Sequence, residues 1–244
     1  MRGVINKSDI PVVIFVGGYG SRLKEKTLYK PKPMVEVGGV PLLWHIMKIY
    51  SHYGFNKFIL TLGYKGDYIR DYLKGKGKKI FSEFEIDLVE TGLETPTGGR
   101  LLKVTTHIKS DVFMCTYGDG VSNININALL AYHMSKKGEI GTLTGVRVPH
   151  KFGIITFTKD GNLESYRKGH LMSDYVFAGF MVLNKEFLNY LTEDMMIEDP
   201  FNNLGKDGKM AVYLHEGYFG AVDTFKELVD LNKAWDTDPK WKVW

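Results

Sequence analysis

Glycines and basic side chains lie close together in VVIFVGGYGSRLKEKTLYKPKPMVEVGGVP, a stretch near the start of the chain. The glycines follow an apolar run directly, at Gly17, Gly18 and Gly20. Without Cβ atoms, their backbone N–H groups can turn toward an anion such as phosphate. Basic residues come soon after, at Arg22, Lys30 and Lys32. They could stabilise a bound phosphate and a charged transition state.

The glycine pattern leaves a structural interpretation open as well. It is neither the G-x-G-x-x-G of dinucleotide-binding turns nor a Walker loop, whose Lys-Ser/Thr ending is absent. Many tight strand-to-helix turns carry two glycines for steric reasons alone. The basic residues that follow favour the phosphate interpretation over the structural one.

Apolar, β-rich runs alternate with amphipathic segments in the first half of the chain, which is typical of a parallel sheet covered by helices. The predicted strands are Val12–Val16, Lys57–Leu62, Phe84–Glu90, Val112–Tyr117 and Ile140–Val146. The segment PLLWHIMKIYSHYG predicts a helix that ends at Gly54, and DYIRDYLKGKGKK predicts a second helix that runs into a basic loop.

The second half is richer in β-structure. FGIITFTKDGNLESYRKG carries a Lys-Asp-Gly turn between two strand-like runs and predicts a β-hairpin. DYVFAGFMVLN predicts another strand, KEFLNYL a short helix, KMAVYLHEGYFGAV a late pair of strands or a strand and a bend, and DTFKELVDLNKAWD a final helix. We therefore expect one α/β domain over residues 1–244, with a β-rich second part.

Composition excludes several classes of protein. The 244 residues are 44% hydrophobic, which allows a sizeable core, and the net charge of +4 is too small to indicate a nucleic-acid surface. The single cysteine, Cys115, excludes a disulfide framework and is expected to be a buried thiol. No apolar run reaches the roughly 20 residues of a membrane span, and the first ten residues lack a signal-peptide core. We expect a cytoplasmic protein with no membrane or nucleic-acid partner.

Longer motifs resemble those of a known family. GGYGSRL, KPKPMVEVGG, PLLWHIMKIYSHYGF, LGYKGDYI, TGGRLLKV, FMCTYGDGV, GFMVLN and VDT are similar to the sugar-nucleotide pyrophosphorylases, and within them to the glucose-1-phosphate cytidylyltransferase group. The resemblance implies a Rossmann-like three-layer α/β/α nucleotidyltransferase fold with an added β-rich acceptor-binding portion. Residues 11–147 would then form the nucleotide-binding half and residues 148–244 the acceptor-binding half.

The resemblance also implies a reaction. An acceptor phosphate would attack the α-phosphorus of CTP in line with departing pyrophosphate, a reaction that needs positive charge more than proton transfer. The backbone from Gly17 to Ser21 would wrap the triphosphate. Arg22 would neutralise the β- and γ-phosphates, and Lys32 would hold the α-phosphate.

Two aspartates would hold Mg²⁺ or Mn²⁺ in such a site. Asp119 ends a predicted strand, where ligands of open α/β sheets collect, although it could instead be a turn residue before Gly120. Asp223 matches the second metal carboxylate of the family. From the sequence alone, Asp223 could equally be the N-cap of the last helix, with Thr224 beside it.

The nucleobase would lie over TPTGGR, with LGYK as a second wall. Main-chain groups of Thr97, Gly98 and Gly99 would contact the base, and Tyr117 would complete the nucleotide-binding set. Glycines between two elements need no ligand to explain them, and the preference for cytosine comes from the resemblance alone.

The acceptor-binding motif of the family, Glu-Lys-Pro, is altered here. SYRKGH keeps the lysine as Lys168, but Arg167 replaces the glutamate and Gly169 replaces the proline. An arginine prefers an acceptor with an extra carboxylate. The residues expected to bind the acceptor are Tyr166, Arg167 and Lys168. Alternatively, Arg167 points to solvent and Tyr166, His170 or Asp174 contacts a sugar.

This combination is similar to the branch that activates phosphoglutamine with CTP during capsular phosphoramidate biosynthesis. Glucose 1-phosphate is the alternative acceptor, and a nucleotide-binding module without turnover is the alternative from another functional class. Relatives of this kind form homo-oligomers, so we expect one here.

Overall fold

The computed structural model describes residues 6–20 and 29–244. Ser21 and Arg22 therefore lie outside the described residues. Within residues 6–20 and 29–244, no helix is both long and apolar enough to cross a membrane.

The described strands are β1 (Val12–Phe15), β2 (Glu36–Val37), β3 (Val40–Pro41), β4 (Lys57–Leu62), β5 (Glu85–Glu90), β6 (Val112–Tyr117), β7 (Gly120–Ser122), β8 (Gly141–Val146), β9 (Ile154–Phe157), β10 (Leu163–Arg167), β11 (Val176–Asn184), β12 (Met210–His215) and β13 (Phe219–Ala221). The described α-helices are α1 (Leu42–His52), α2 (Gly66–Lys74), α3 (Lys78–Phe81), α4 (Thr97–Lys103), α5 (Ile126–Ser135), α6 (Phe201–Lys206) and α7 (Phe225–Thr237).

A seven-stranded sheet in the order β12-β8-β11-β6-β1-β4-β5 forms the centre of the molecule. All neighbours pair in parallel except β11, which runs antiparallel between β6 and β8. Strand β1 is fully buried, as expected of a strand covered on both faces. One apolar cluster, which includes α1 and α7, covers one face of the sheet, and a second cluster around α4 covers the other. This arrangement confirms the Rossmann-like three-layer α/β/α fold.

The predicted strands and helices agree closely with the structure, with two local differences. The basic loop predicted after α2 contains the short helix α3, which Phe81 anchors because its side chain is buried. The segment KEFLNYL forms a 3-10 helix, Lys185–Tyr190, and not an α-helix. Gly54 follows α1 with a φ of +92°, which explains why a glycine ends that helix.

The aromatic residues near the C-terminus pack inward. Rings of Trp44, Trp235, Trp241 and Trp244 lie around His45 of α1, with centroids 4.8–6.1 Å from its ring. Burial lowers the pKa of His45 to about 4, and its Nε2 lies 2.9 Å from the carbonyl oxygen of Val37. His45 is therefore a neutral packing residue.

Candidate active site

A cleft of about 470 Å³ opens at the carboxyl ends of β1 and β6. This is the end of an open α/β sheet at which ligands bind, because the loops that follow the strands diverge there. The loop after β1 contributes Gly18 and Gly20, and Tyr117, Gly118 and Asp119 close the end of β6. The cleft brings together the glycine loop and the aspartate motif, which are about 100 residues apart in the sequence.

Lys32 lies between the two predicted metal ligands. Its Nζ is 2.7 Å from an Oδ of Asp119 and 2.7 Å from an Oδ of Asp223, and the lysine is only 8% exposed. Lys32 begins the 3-10 turn Lys32–Met34 and lies between Pro31 and Pro33. Three residues from distant parts of the sequence therefore form one charged cluster, of which Lys32 and Asp119 line the cleft.

Asp223 is not the N-cap of the last helix. Thr224 is the N-cap of α7 and forms a capping box with Glu227, whose carboxylate accepts from the backbone N–H groups of Asp223 and Thr224. The side chain of Asp223 is thus left to pair with Lys32. The N-cap alternative is wrong because Thr224 takes that position.

Among the predicted nucleotide-binding residues, Thr97 and Tyr117 line the cleft together with Gly18 and Gly20. Gly17 has a packing role, since a Cβ there would lie 2.3 Å from Nη1 of Arg100. Ser21 and Arg22 lie outside the described residues, so their predicted contacts with the triphosphate stay predictions.

Gly98 and Gly99 lie against a neighbouring loop. The N–H of Gly98 donates to the carbonyl oxygen of Met195, and a Cβ on Gly99 would lie 2.2 Å from the carbonyl oxygen of Glu193. Their small size lets α4 approach that loop closely, which is the structural explanation that the sequence left open for them.

The predicted acceptor residues lie apart from the residues that line the cleft. Tyr166 and Arg167 belong to β10 of the β9-β10 hairpin, and Lys168 follows it as an exposed residue. Arg167 lines a separate hollow of about 310 Å³ with His150 and His170. The described structure therefore does not bring Lys168 and Lys32 around one cavity.

Arg100 is a site residue that the sequence reasoning missed. It is 4% exposed, and its guanidinium donates to the carbonyl oxygens of Gly17, Leu62 and Leu93 at 3.1 Å and to Oγ1 of Thr91 at 2.6 Å. Burial lowers the pKa of Arg100 from its ordinary value. The sequence feature that could have indicated Arg100 is its place at the end of the TPTGGR motif, in the first turn of α4.

Replacing Arg100 with Met is expected to lower the free energy of unfolding by about 3 kcal/mol, because buried acceptors lose their donors. Urea unfolding followed by circular dichroism measures this change. The exposed Lys103, one turn later on α4, is the control position. Lys103→Met is expected to cost less than about 1 kcal/mol, and equal losses for the two variants would contradict the role of Arg100.

The described residues contain no group of three or more His, Cys, Asp or Glu side chains suited to a metal ion. The Asp119 and Asp223 carboxylates nevertheless fit Mg²⁺, which binds proteins through one or two carboxylates and completes its shell with water and substrate phosphates.

Comparison with known proteins identifies the family. The model of the family described as "Nucleotidyl transferase" matches residues 11–237, nearly the whole chain. The chain belongs to the nucleotidyl transferase family. It is therefore a nucleotidyltransferase, and the predicted enzyme class is confirmed.

Two relatives of this nucleotidyltransferase are similar over their full length. A "Probable glucose-1-phosphate cytidylyltransferase" of Bacillus subtilis (strain 168) is 40% identical over 253 residues, covering 95% of this chain and 99% of the relative. The "Glucose-1-phosphate cytidylyltransferase" of Salmonella typhimurium LT2 is 35% identical over 257 residues, covering 95% and 98%.

The fold of the nucleotidyltransferase also matches solved structures. HddC from Yersinia pseudotuberculosis superposes with a TM-score of 0.72 at 25% identity, covering 93% of this chain and 99% of that one. A UDP-glucose pyrophosphorylase superposes with a TM-score of 0.71 at 14% identity, covering 93% and 98%, which shows the fold alone.

Proposed function

We propose that this nucleotidyltransferase transfers CMP from CTP to a phosphorylated small molecule and releases pyrophosphate. The observation that carries the proposal is the Lys32–Asp119–Asp223 cluster at the carboxyl end of the sheet. It combines a cation for phosphate oxygens with two carboxylates for a divalent ion, in a cleft whose rim is the glycine loop. Two relatives named as cytidylyltransferases, at 40% and 35% identity, support cytosine as the base.

Charge stabilisation is the main task of the chain's own residues in this reaction. Lys32 would donate hydrogen bonds to an α-phosphate oxygen as negative charge builds up at phosphorus. Its pairing with two aspartates fixes the ammonium in place before substrate arrives, so little reorganisation is needed. Arg22 and the backbone up to Ser21 would hold the β- and γ-phosphates.

Asp119 and Asp223 would hold Mg²⁺ or Mn²⁺. The bound ion would neutralise phosphate charge and orient the triphosphate for in-line attack. Lys32 pairs with both carboxylates, so its ammonium balances their charge when no divalent ion is bound. When the ion and the triphosphate are bound, the same ammonium would already lie beside the phosphates. The cluster therefore suits a site that gains and loses a metal-bound triphosphate in each turnover.

For the acceptor, we propose phosphoglutamine, as in capsular phosphoramidate biosynthesis. Support comes from Arg167, which shares its hollow with His150, His170 and Asp174 and whose guanidinium suits a carboxylate. This acceptor requires the β9-β10 hairpin to approach the cleft when substrate binds. Glucose 1-phosphate is the second candidate, because both similar relatives carry it in their names.

An acceptor panel tests this choice. We expect pyrophosphate release with CTP and Mg²⁺ to have at least a tenfold higher kcat/KM for phosphoglutamine than for glucose 1-phosphate. Arg167→Glu is expected to lower kcat/KM for phosphoglutamine about tenfold or more, because a carboxylate would then face a carboxylate.

The matched control is Lys159→Glu, an equal charge reversal at the exposed tip of the same hairpin. It should leave the acceptor preference unchanged. A preference for glucose 1-phosphate in the unaltered enzyme, or an unchanged preference in Arg167→Glu, would contradict the phosphoglutamine proposal. CTP binding without product from any acceptor would favour the nucleotide-binding module instead.

A homo-oligomer remains part of the proposal. Its support is the β9-β10 hairpin, which exposes apolar side chains on one face at Ile155, Phe157, Leu163 and Tyr166. A two-stranded hairpin is only marginally stable alone, so a neighbouring subunit would stabilise it.

A further inference from the structure

A loop from the second half of the chain forms one wall of the cleft. Residues 192–199, here the 192–199 loop, lead into α6, and Met196 lines the cleft. The loop is attached to the first turn of α4, where the N–H of Ile197 donates to Oγ1 of Thr97 at 2.9 Å and Met195 accepts from Gly98 at 3.0 Å. The position of this wall therefore depends on how the loop is held.

Glu198 connects the 192–199 loop to the central sheet. One carboxylate oxygen, Oε1, accepts a hydrogen bond from the hydroxyl of Tyr117, at the end of β6. Tyr117 lines the cleft and lies two residues before Asp119.

The ring of Tyr117 is enclosed on its other sides. Phe15 and Phe177 lie with ring centroids 5.5 and 6.3 Å away, and a Cβ on Gly179 would come within 2.8 Å of its Cδ2. The ring is thus fixed to the sheet, and its hydroxyl offers the 192–199 loop a fixed point of attachment.

The second oxygen of the same carboxylate, Oε2, is buried and has no hydrogen-bond partner among the described residues. A buried acceptor without a donor costs free energy, about 1–3 kcal/mol. An apolar side chain of similar length would avoid that cost. Stability alone therefore does not account for a glutamate at this position.

We propose that Glu198 is a positioning residue for the nucleotide cleft: it ties the 192–199 loop to Tyr117 and so fixes the position of Met196 relative to the end of β6, where the nucleotide binds. The proposal depends on the proposed function for the identity of the nucleotide, CTP. It adds a residue that touches no reacting atom and acts through Tyr117 and Met196.

A comparison of stability with nucleotide affinity tests the proposal in the full-length protein. The variants are Glu198→Met, Tyr117→Phe and the double variant. Replacing both partners with apolar groups removes the unpaired oxygen, so the double variant should unfold at or above the wild-type temperature. The same variant should bind CTP about tenfold more weakly by calorimetry, because the loop has lost its attachment. KM for CTP should rise with it, and kcat should change less than about threefold.

Two further variants complete the test. Glu198→Gln keeps an oxygen that can accept from Tyr117, so its KM should stay within about threefold of wild type. Asp194→Asn removes a carboxylate of the same loop that bonds Thr192 and not the cleft, and should leave KM unchanged. Loss of stability in the double variant with unchanged CTP affinity would overturn the proposal, since Glu198 would then be structural.

Failure of the proposed function gives a different result. Titration of the wild-type protein with CTP, UTP, GTP and ATP shows first which triphosphate binds. If another base binds better, the cytidylyl assignment fails, while the Glu198 variants are measured with that nucleotide and still test the positioning role. If Glu198→Met and wild type have equal affinity for the preferred triphosphate, the positioning role fails by itself.

Discussion

Lys32→Met is expected to lower kcat for nucleotidyl transfer by about 10³-fold while the protein remains folded. The ammonium of Lys32 is held 2.7 Å from each of two carboxylates, in a position to meet the charge that develops on the α-phosphate. Removing one preorganised hydrogen-bond donor from such a site typically costs about 10²–10³ in kcat, and Lys32 also contributes a full positive charge. Steady-state pyrophosphate release with saturating CTP measures the loss.

The same variant has a second, independent readout. Without Lys32, the Asp119 and Asp223 carboxylates repel each other across a partly buried gap, so the unfolding temperature should fall. Mg²⁺ should restore that temperature more in Lys32→Met than in wild type, because the gap now favours a cation.

Lys48→Met is the control for the Lys32 variant. Lys48 lies on α1 and pairs with Glu83 at 2.9 Å, and it is not among the residues that line the cleft. Its kcat should stay within about threefold of wild type. A kcat for Lys32→Met within the same threefold range would show that the ammonium of Lys32 is not needed for transfer.

Asp119→Asn and Asp223→Asn are each expected to lower kcat/KM by about 10²–10³-fold. Each substitution removes one of the two negative charges that would hold the divalent ion, and an amide is a weaker ligand for such an ion. Activity assayed over a range of Mg²⁺ concentrations should show a higher concentration for half-maximal rate in both variants.

The two aspartates should act as a unit. The Asp119→Asn/Asp223→Asn double variant is expected to lose little more activity than either single variant. Asp9→Asn serves as control, because Asp9 pairs with Lys57 at 3.8 Å, well away from the cleft. If the fold-loss in kcat/KM of the double variant equals the product of the two single fold-losses, the aspartates do not share an ion.

Measurements of stability should distinguish a role of Asp223 in the fold from a role in metal binding. Because Thr224 and Glu227 cap α7 and Lys32 still pairs with Asp119, Asp223→Asn is expected to lower the unfolding temperature less than Lys32→Met does. A large destabilisation of Asp223→Asn would mean that the residue is needed for the fold, which would weaken its assignment to the metal.

The sequence by itself determined the positions of the main strands and of the motifs that follow β1 and β6. Hydrophobic patterning is local information, so β1, β4, β6 and the β9-β10 hairpin could be predicted from period and turn residues alone. Because parallel strands place their carboxyl ends at one edge, the motif after β1 and the motif after β6 could be expected to meet. Gly18, Gly20, Tyr117 and Asp119 line one cleft at that edge of the sheet.

The tertiary structure decided what each side chain faces. Asp223 could have been a helix cap or a site residue, and only the packing of α7, with Thr224 at its N-cap, leaves its carboxylate to Lys32. The sequence predicted that Gly98 and Gly99 contact the nucleobase through their main chains, and the structure places both glycines against the 192–199 loop. The burial of Arg100 and the pairing of Glu198 could not be predicted locally, because their partners Gly17 and Tyr117 lie about 80 residues away along the chain. Burial and pairing arise from contacts between distant segments, and no local pattern of residue types encodes them.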